Sequence, residues 1–142
     1  MKRVAIEGLA RTGDRTTVTE IETALKGERS EAVQLAGSFA AVLLSGTSIE
    51  PLGEALSRPR VRERARAYLI EVAPGRTDLF TRYAQDPDPR VRSDVADILG
   101  LAGDPAALAL VERLTEDGDP QVARAADRAV VRLTTGGKPV GP

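Results

Sequence analysis

Residues 86–133 read DPDPRVRSDVADILGLAGDPAALALVERLTEDGDPQVARAADRAVVRL, and this stretch states one pattern twice. Asp88-Pro89 followed by Val91 returns as Asp119-Pro120 followed by Val122, and Ala102-Gly103-Asp104-Pro105 marks a turn between the two openings. On either side of that turn the apolar residues have helical spacing: Val91, Val95, Ile98, Leu99 and Ala102 before it, Leu108, Val111 and Leu114 after it. A helix–turn–helix unit of roughly 30 residues cannot bury its own apolar side, so successive copies must stack into a quasi-one-dimensional array. The pattern predicts an all-α fold, a right-handed α-solenoid of about four and a half helix pairs.

Working outward, 119–135 supplies one further helix with Val122, Ala126, Ala129, Val130 and Leu133 on its inner face. In 58–87, Arg58-Pro59-Arg60-Val61 takes the place of the Asp-Pro opening and predicts a helix starting near Pro59, with Val61, Ala65, Tyr68, Leu69 and Val72 turned inward. Pro74-Gly75 breaks that helix, and Leu79, Phe80, Tyr83 and Ala84 mark its companion. Repeat 28–57 carries a wide stripe from Ala32 to Leu43, then Ile49, Leu52, Ala55 and Leu56 behind a Ser48 cap, with Pro51 tolerable in the first turn. Repeat 1–27 opens with Val4, Ala5, Leu9 and Thr12 at helical spacing; Gly13-Asp14 closes that helix as Gly103-Asp104 does three repeats later, and Val18, Ile21, Ala24 and Leu25 follow. The expectation is a single domain over 1–135 with about nine helices. Residues 136–142, rich in Gly and Pro, read as a flexible tail.

The composition fits a globular helical chain. Apolar residues make up 42% and charged residues 29% of 142, and the aromatics are Phe39, Tyr68, Phe80 and Tyr83, too few for a β-sandwich or barrel. The formal charge of −1 provides no global field towards nucleic acid or an anionic membrane. Without Cys there is no disulfide framework, thiolate chemistry or sulfur metal site, and without His the usual zinc sets cannot be assembled. The charged opening predicts no signal peptide, and the longest apolar run, 39–44, is far short of a membrane span. A cytoplasmic, membrane-free protein is the simplest reading.

The units 88–118 and 119–133, with Asp88, Pro89, Val91 and Arg92, then Gly100 and Gly103-Asp104-Pro105, resemble HEAT repeats, and most closely the short variety named after phycobilin lyases. The likeness is specific in the fourth repeat, present in the third and fifth, and diluted in the first two, where the Asp-Pro opening is missing. It implies that Asp88, Arg92 and Asp104 bridge neighbouring repeats or cap helices. For function it implies less, because such repeats serve scaffolds, adaptors, lyase subunits and nucleic-acid enzymes alike.

Arg58, Arg60, Arg62, Arg64 and Arg66, offset only by Glu63, form a run of local charge +4. On a helix they cannot all face one way, so some must lay their stems over the core and bridge acids such as Glu31, Asp88 or Asp94. The functional reading is a basic patch over 58–92, extended by Arg76, Arg82, Arg90 and Arg92, for nucleic acid or another polyanion. Four such contacts on duplex DNA would give a salt slope near roughly −3.6 and weak binding at physiological salt.

The second helices of such arrays line the inner surface, which places Thr17, Glu20, Glu54, Asp78, Arg82, Tyr83, Glu112 and Arg113 as contact residues. Ordinary solvated helix faces are the structural alternative. The ends form a third candidate: Val4 and Ile6 at one end and Val130 and Leu133 at the other lack a covering helix, so a homodimer could form through an end repeat. No catalytic, cofactor or metal constellation is present, and Asp86/Asp88 and Glu116/Asp117/Asp119 fall where Asp caps helices.

The resulting expectation is a non-enzymatic scaffold or adaptor that binds a protein or peptide partner through Arg60, Arg64, Arg66, Arg76, Asp78, Arg82, Tyr83, Glu112 and Arg113, with no cofactor. The alternatives are polyanion binding through the 58–92 patch and a lyase-like subunit handling a tetrapyrrole.

Overall fold

The computed structural model describes residues 2–135; the tail expected over 136–142 lies outside them. Nine α-helices and no strand occur among the described residues. The chain divides into two compact bodies, the first ending at Tyr68 and the second beginning at Leu69.

The N-terminal body contains α1 (Lys2–Arg11), α2 (Val18–Leu25), α3 (Glu31–Ser45), α4 (Glu50–Ala55) and the start of α5 (Arg62–Val72). Helices α1, α2 and α4 each pack on α3, whose residues Leu35, Ala36, Phe39, Ala40 and Val42 are buried. The Phe39 and Tyr68 rings stack at the centre with centroids 4.3 Å apart. Helix α1 turns Ile6, Glu7 and Ala10 inward and leaves Val4 57% exposed, so its inner face is rotated from the Val4, Ala5, Leu9 stripe read from the sequence. A carboxylate sits where an apolar residue was expected, and its partners explain the rotation below.

The C-terminal body contains the rest of α5, α6 (Thr81–Ala84), α7 (Pro89–Ala102), α8 (Leu108–Leu114) and α9 (Pro120–Thr134). Helix α7 lies against α9, α8 packs on both of these, and α6 packs on α7 and α8. A Cβ placed on Gly100 would come within 2.8 Å of the Ala129 backbone, so this glycine permits the close approach of α7 and α9.

The turns are built by a recurring pair. Gly13 and Gly103 follow their helices at φ of 70° and 75°, a left-handed conformation that lets the chain reverse. The next residue then caps a short 3₁₀ turn: Asp14 accepts from the Thr16 N–H at 2.9 Å, and Asp104 accepts from the Ala106 N–H at 3.0 Å. These 3₁₀ turns, Arg15–Thr17 and Pro105–Ala107, lead into α2 and α8, and a similar turn, Thr77–Phe80, leads into α6.

The first helices α7 and α9 begin at their prolines because Asp88 accepts from the Arg90 N–H at 2.9 Å and Asp119 from the Gln121 N–H at 2.8 Å. Arg58 holds the corresponding position before α5 and cannot accept, so that helix starts at Arg62 instead of near Pro59, and Arg60 lies in the preceding turn. Asp104 and Arg92 also join separate segments of the C-terminal body, as the resemblance implied. The Gly75 N–H donates to Asp104 at 2.8 Å, and Arg92 donates to both carboxylate oxygens of Asp117 at 2.8 and 3.0 Å and to the Asp86 carbonyl at 2.8 Å.

Replacing Gly100 by Ala should cost about 1–3 kcal/mol, because the added methyl meets helix backbone that cannot give. At Gly37 the same change meets the Leu25 side chain, its Cδ atoms at 2.5 and 2.9 Å and its Cγ at 3.3 Å, which must turn aside but is not backbone, and removing a helical glycine recovers about 0.5–1 kcal/mol. Urea unfolding of the two variants should therefore rank Gly100→Ala well below Gly37→Ala; the reverse order would refute the packing described.

Candidate functional site

Two groups of polar side chains stand apart from the caps and turns. The first surrounds Glu7, which is only 5% exposed in the core-facing register of α1. Tyr68 donates its phenol proton to Glu7 Oε2, Arg3 donates to the same oxygen at 2.7 Å, and the Arg64 guanidinium lies 3.6 Å away. Arg64 also lies 6.0 Å from the Tyr68 ring centroid, while Arg11 lies 5.4 Å from that of Phe39, so cations flank the stacked pair.

Burial by itself would push the Glu7 carboxyl up, but the hydrogen bonds from Tyr68 and Arg3, with the charges of Arg3 and Arg64, outweigh it and hold the group below its ordinary 4.5. Burial, with the negative charge of Glu7 beside it, pushes the Tyr68 phenol well above its ordinary 10.0. The cluster holds one carboxylate ionised and one phenol protonated. Its chemistry is that of a structural tie between α1 and α5, and the sequence signal for it was a Glu between Ile6 and Ala10 on the inward register, four residues after Arg3.

Several cations of the expected basic patch are engaged in the same manner. Arg58 lies 3.0 Å from Glu31, Arg62 3.4 Å from Glu63, Arg90 3.5 Å from Asp88 and Arg92 2.8 Å from Asp117. Arg60 is exposed, Arg66 half-buried, and Arg76 folds back to donate to the Val72 carbonyl at 3.1 Å.

The second group lies in the C-terminal body, on its second helices. Asp78 and Arg82 are exposed on the segment leading through α6, and Glu112 and Arg113 are exposed on α8, which packs against α6. Tyr83 is 7% exposed, so its ring belongs to the core; Arg82 sits above it, 5.6 Å from the ring centroid. Leu79 takes the opposite course from its expected inner position and is 42% exposed, an apolar residue between the Asp78 and Arg82 charges. The preceding turn is 3₁₀, whose tighter winding moves Leu79 off the stripe that an α-helical count gives it. Arg60, Arg64 and Arg66 belong to the N-terminal body, so the nine expected contact residues divide between the two.

A model for HEAT repeats matches residues 49–131, more than half of the chain. The chain belongs to the HEAT-repeat family. Its class is accordingly the α-solenoid, and the match is to HEAT repeats without distinction of the phycobilin-lyase variety. No curated protein matches this HEAT-repeat chain. Among the described residues no group of three or more acidic, His or Cys side chains is arranged to hold a metal ion, and no helix is long and apolar enough to cross a membrane.

Because the Glu7 carboxyl is more acidic folded than unfolded, its contribution to stability is complete above about pH 4.5 and is lost as pH falls through the folded value. The Tyr68 phenol acts at the other limit: stability falls as pH rises past 10, where the unfolded chain ionises and the folded one does not. Tyr68→Phe should cost about 1–3 kcal/mol at neutral pH by removing a donor from a buried carboxylate. The deficit of Glu7→Gln should shrink between about pH 7 and pH 3. Chemical denaturation across that range checks both, and a deficit independent of pH would show that Glu7 is not ionised in the fold.

Proposed function

We propose that this HEAT-repeat protein is a non-catalytic interaction module, and that the second-helix face of its C-terminal body takes a protein or peptide segment. The observation that carries this reading is the exposed Leu79 on the segment that also exposes Asp78 and Arg82, whose helix α6 packs against α8, where Glu112 and Arg113 are exposed. An exposed apolar residue on segments that carry charges of both signs suits a folded or helical partner better than a phosphate backbone, which calls for one sign. A face carried on packed helices is preformed and loses little entropy on docking.

The polyanion reading receives less support, since Arg58, Arg62, Arg64, Arg90 and Arg92 each face a carboxylate within 3.6 Å. A tetrapyrrole-handling role also receives less. The apolar cleft between α2 and α3 has a volume of about 170 Å³, against roughly 300–1,000 Å³ for typical small-molecule pockets, and the larger groove between α8 and α9, about 530 Å³, is open and lined by the carboxylates of Glu112, Glu116 and Asp127.

Affinity capture from a cell lysate with the full chain should retain a defined protein, and Arg82→Glu combined with Arg113→Glu should reduce that capture at least tenfold while leaving the helical circular dichroism unchanged. Retention unaltered by the double reversal would remove this face from the function. Tight binding to DNA or RNA at moderate salt, abolished by changes at Arg60 and Arg66, would replace the protein-binding reading altogether.

A further inference from the structure

Among the described residues the C-terminal body contains the same groove twice, once filled and once open. Helices α6 and α7 form the first copy, and α8 packs on both of them. One repeat later, counted from Asp88 to Asp119, α8 and α9 form the second copy, an open groove of about 530 Å³ lined by Glu112, Thr115, Glu116, Asp127, Val130 and Val131. The α7 residues one repeat before Asp127, Val130 and Val131 are Ala96, Leu99 and Gly100, all buried, and Gly100 is covered by α9 at Ala129. In the open copy Val130 is half-buried and Val131 is 59% exposed. The open groove therefore has the form of a helix site in which α9 and α8 repeat the roles of α7 and α6.

The chemistry of the two copies differs. The residues of the filled groove at the six corresponding positions are Thr81, Ala84, Gln85, Ala96, Leu99 and Gly100, none of them charged. The open groove has carboxylates at three of these positions, Glu112, Glu116 and Asp127, beside its two valines. A polar end cap would account for the acids alone; it would not leave Val131 exposed beside a half-buried Val130 in the lining of an open groove. A helix entering this groove must cover the valines and also bring positive charge to the acids.

We propose that the α8–α9 groove is the docking site of a basic amphipathic helix from a partner protein. The incoming helix takes the place that α8 and α9 share over the filled copy, where α8 packs on α6 and α7 and α9 covers Gly100: it presents aliphatic side chains along one face to Val130 and Val131, with Lys or Arg on the flanks to meet Glu112, Glu116 and Asp127. The proposal extends the interaction-module reading to a second surface. It does not depend on the face around Arg82.

The test is fluorescence anisotropy with the full chain and a labelled helical peptide of about 15 residues, long enough to form a helix, carrying Leu along one face at positions i, i+3, i+4 and i+7 and Lys on both flanks. Saturable binding is expected. It should weaken at least tenfold in Glu116→Lys combined with Asp127→Lys, and comparably in Val131→Asp; all three residues are exposed or line the rim, so circular dichroism should be unchanged. The same peptide with Glu for Lys should not bind, and Arg82→Glu with Arg113→Glu should leave peptide binding intact even if it abolishes lysate capture. No saturation at about 1 mM peptide, equal binding of the Glu peptide, or a charge effect without a Val131→Asp effect would each overturn the proposal. So would a concentration-dependent dimer dispersed by Asp127→Lys, which would assign the groove to a second copy, or binding that appears only after residues 136–142 are removed, which would assign it to the chain's own end.

Discussion

The close approach of α7 and α9 sets what the rest of the C-terminal body can be. This protein has four aromatic residues and fills most of its interior with Ala, Val and Leu, side chains too short to bridge widely spaced helices. Its apolar area can be buried only if helices come near one another, and Gly100 against Ala129 is where the backbones do so. Where an aromatic pair is available, in the N-terminal body, Phe39 and Tyr68 fill the centre between α3 and α5. Both solutions bury an apolar stripe that a lone helix pair would leave in water.

Close packing of this kind leaves little room for error in the turns, and the turns are where most of the aspartates lie. Asp14, Asp88, Asp104 and Asp119 each accept backbone N–H groups at the start of a helix or 3₁₀ turn. Backbone N–H groups holding Asp88 and Asp104 keep both carboxyls below their ordinary 3.8. Arg92 adds a second tie by fastening the Asp117 turn to the start of α7. Much of the charge that looks like a surface property in the sequence is thus committed to fixing loop geometry. The same applies to the arginine run of 58–66, where Arg58, Arg62 and Arg64 each meet an acid.

The elements that were legible in the sequence are those specified by local chemistry. Gly13-Asp14 and Gly103-Asp104 were readable as equivalent turns because a left-handed glycine followed by a capping Asp is a property of the residues themselves. The buried set of the fourth repeat was readable because its period is regular. What escaped was decided by partners distant in sequence. Glu7 turns inward because Tyr68 lies 61 residues away to satisfy it, and that contact rotates α1 so that Val4 faces out. Leu79 turns outward because the segment is wound as 3₁₀, which shifts the side-chain register without changing the composition. Tyr83 was readable both as part of the apolar stripe of its helix and as a contact residue, and its burial puts the ring in the core, since an aromatic ring in a small-residue interior is worth more buried than displayed.

The internal repetition also supplies its own control for interpreting the surface. Among the described residues of one body the same helix geometry occurs with and without a covering helix, so a position can be compared with its equivalent under two conditions. Ala96 and Asp127 occupy one such pair of positions: the buried one is neutral and the exposed one is charged. Solvation alone explains a charge appearing where a cover is missing. It does not explain why Val131, 59% exposed, stays aliphatic beside it, where Thr or Lys would cost little in packing and reduce the exposed apolar area. A surface that keeps its aliphatic residues while taking on a single sign of charge has the character of a binding groove, and the repeat supplies the shape of what it binds.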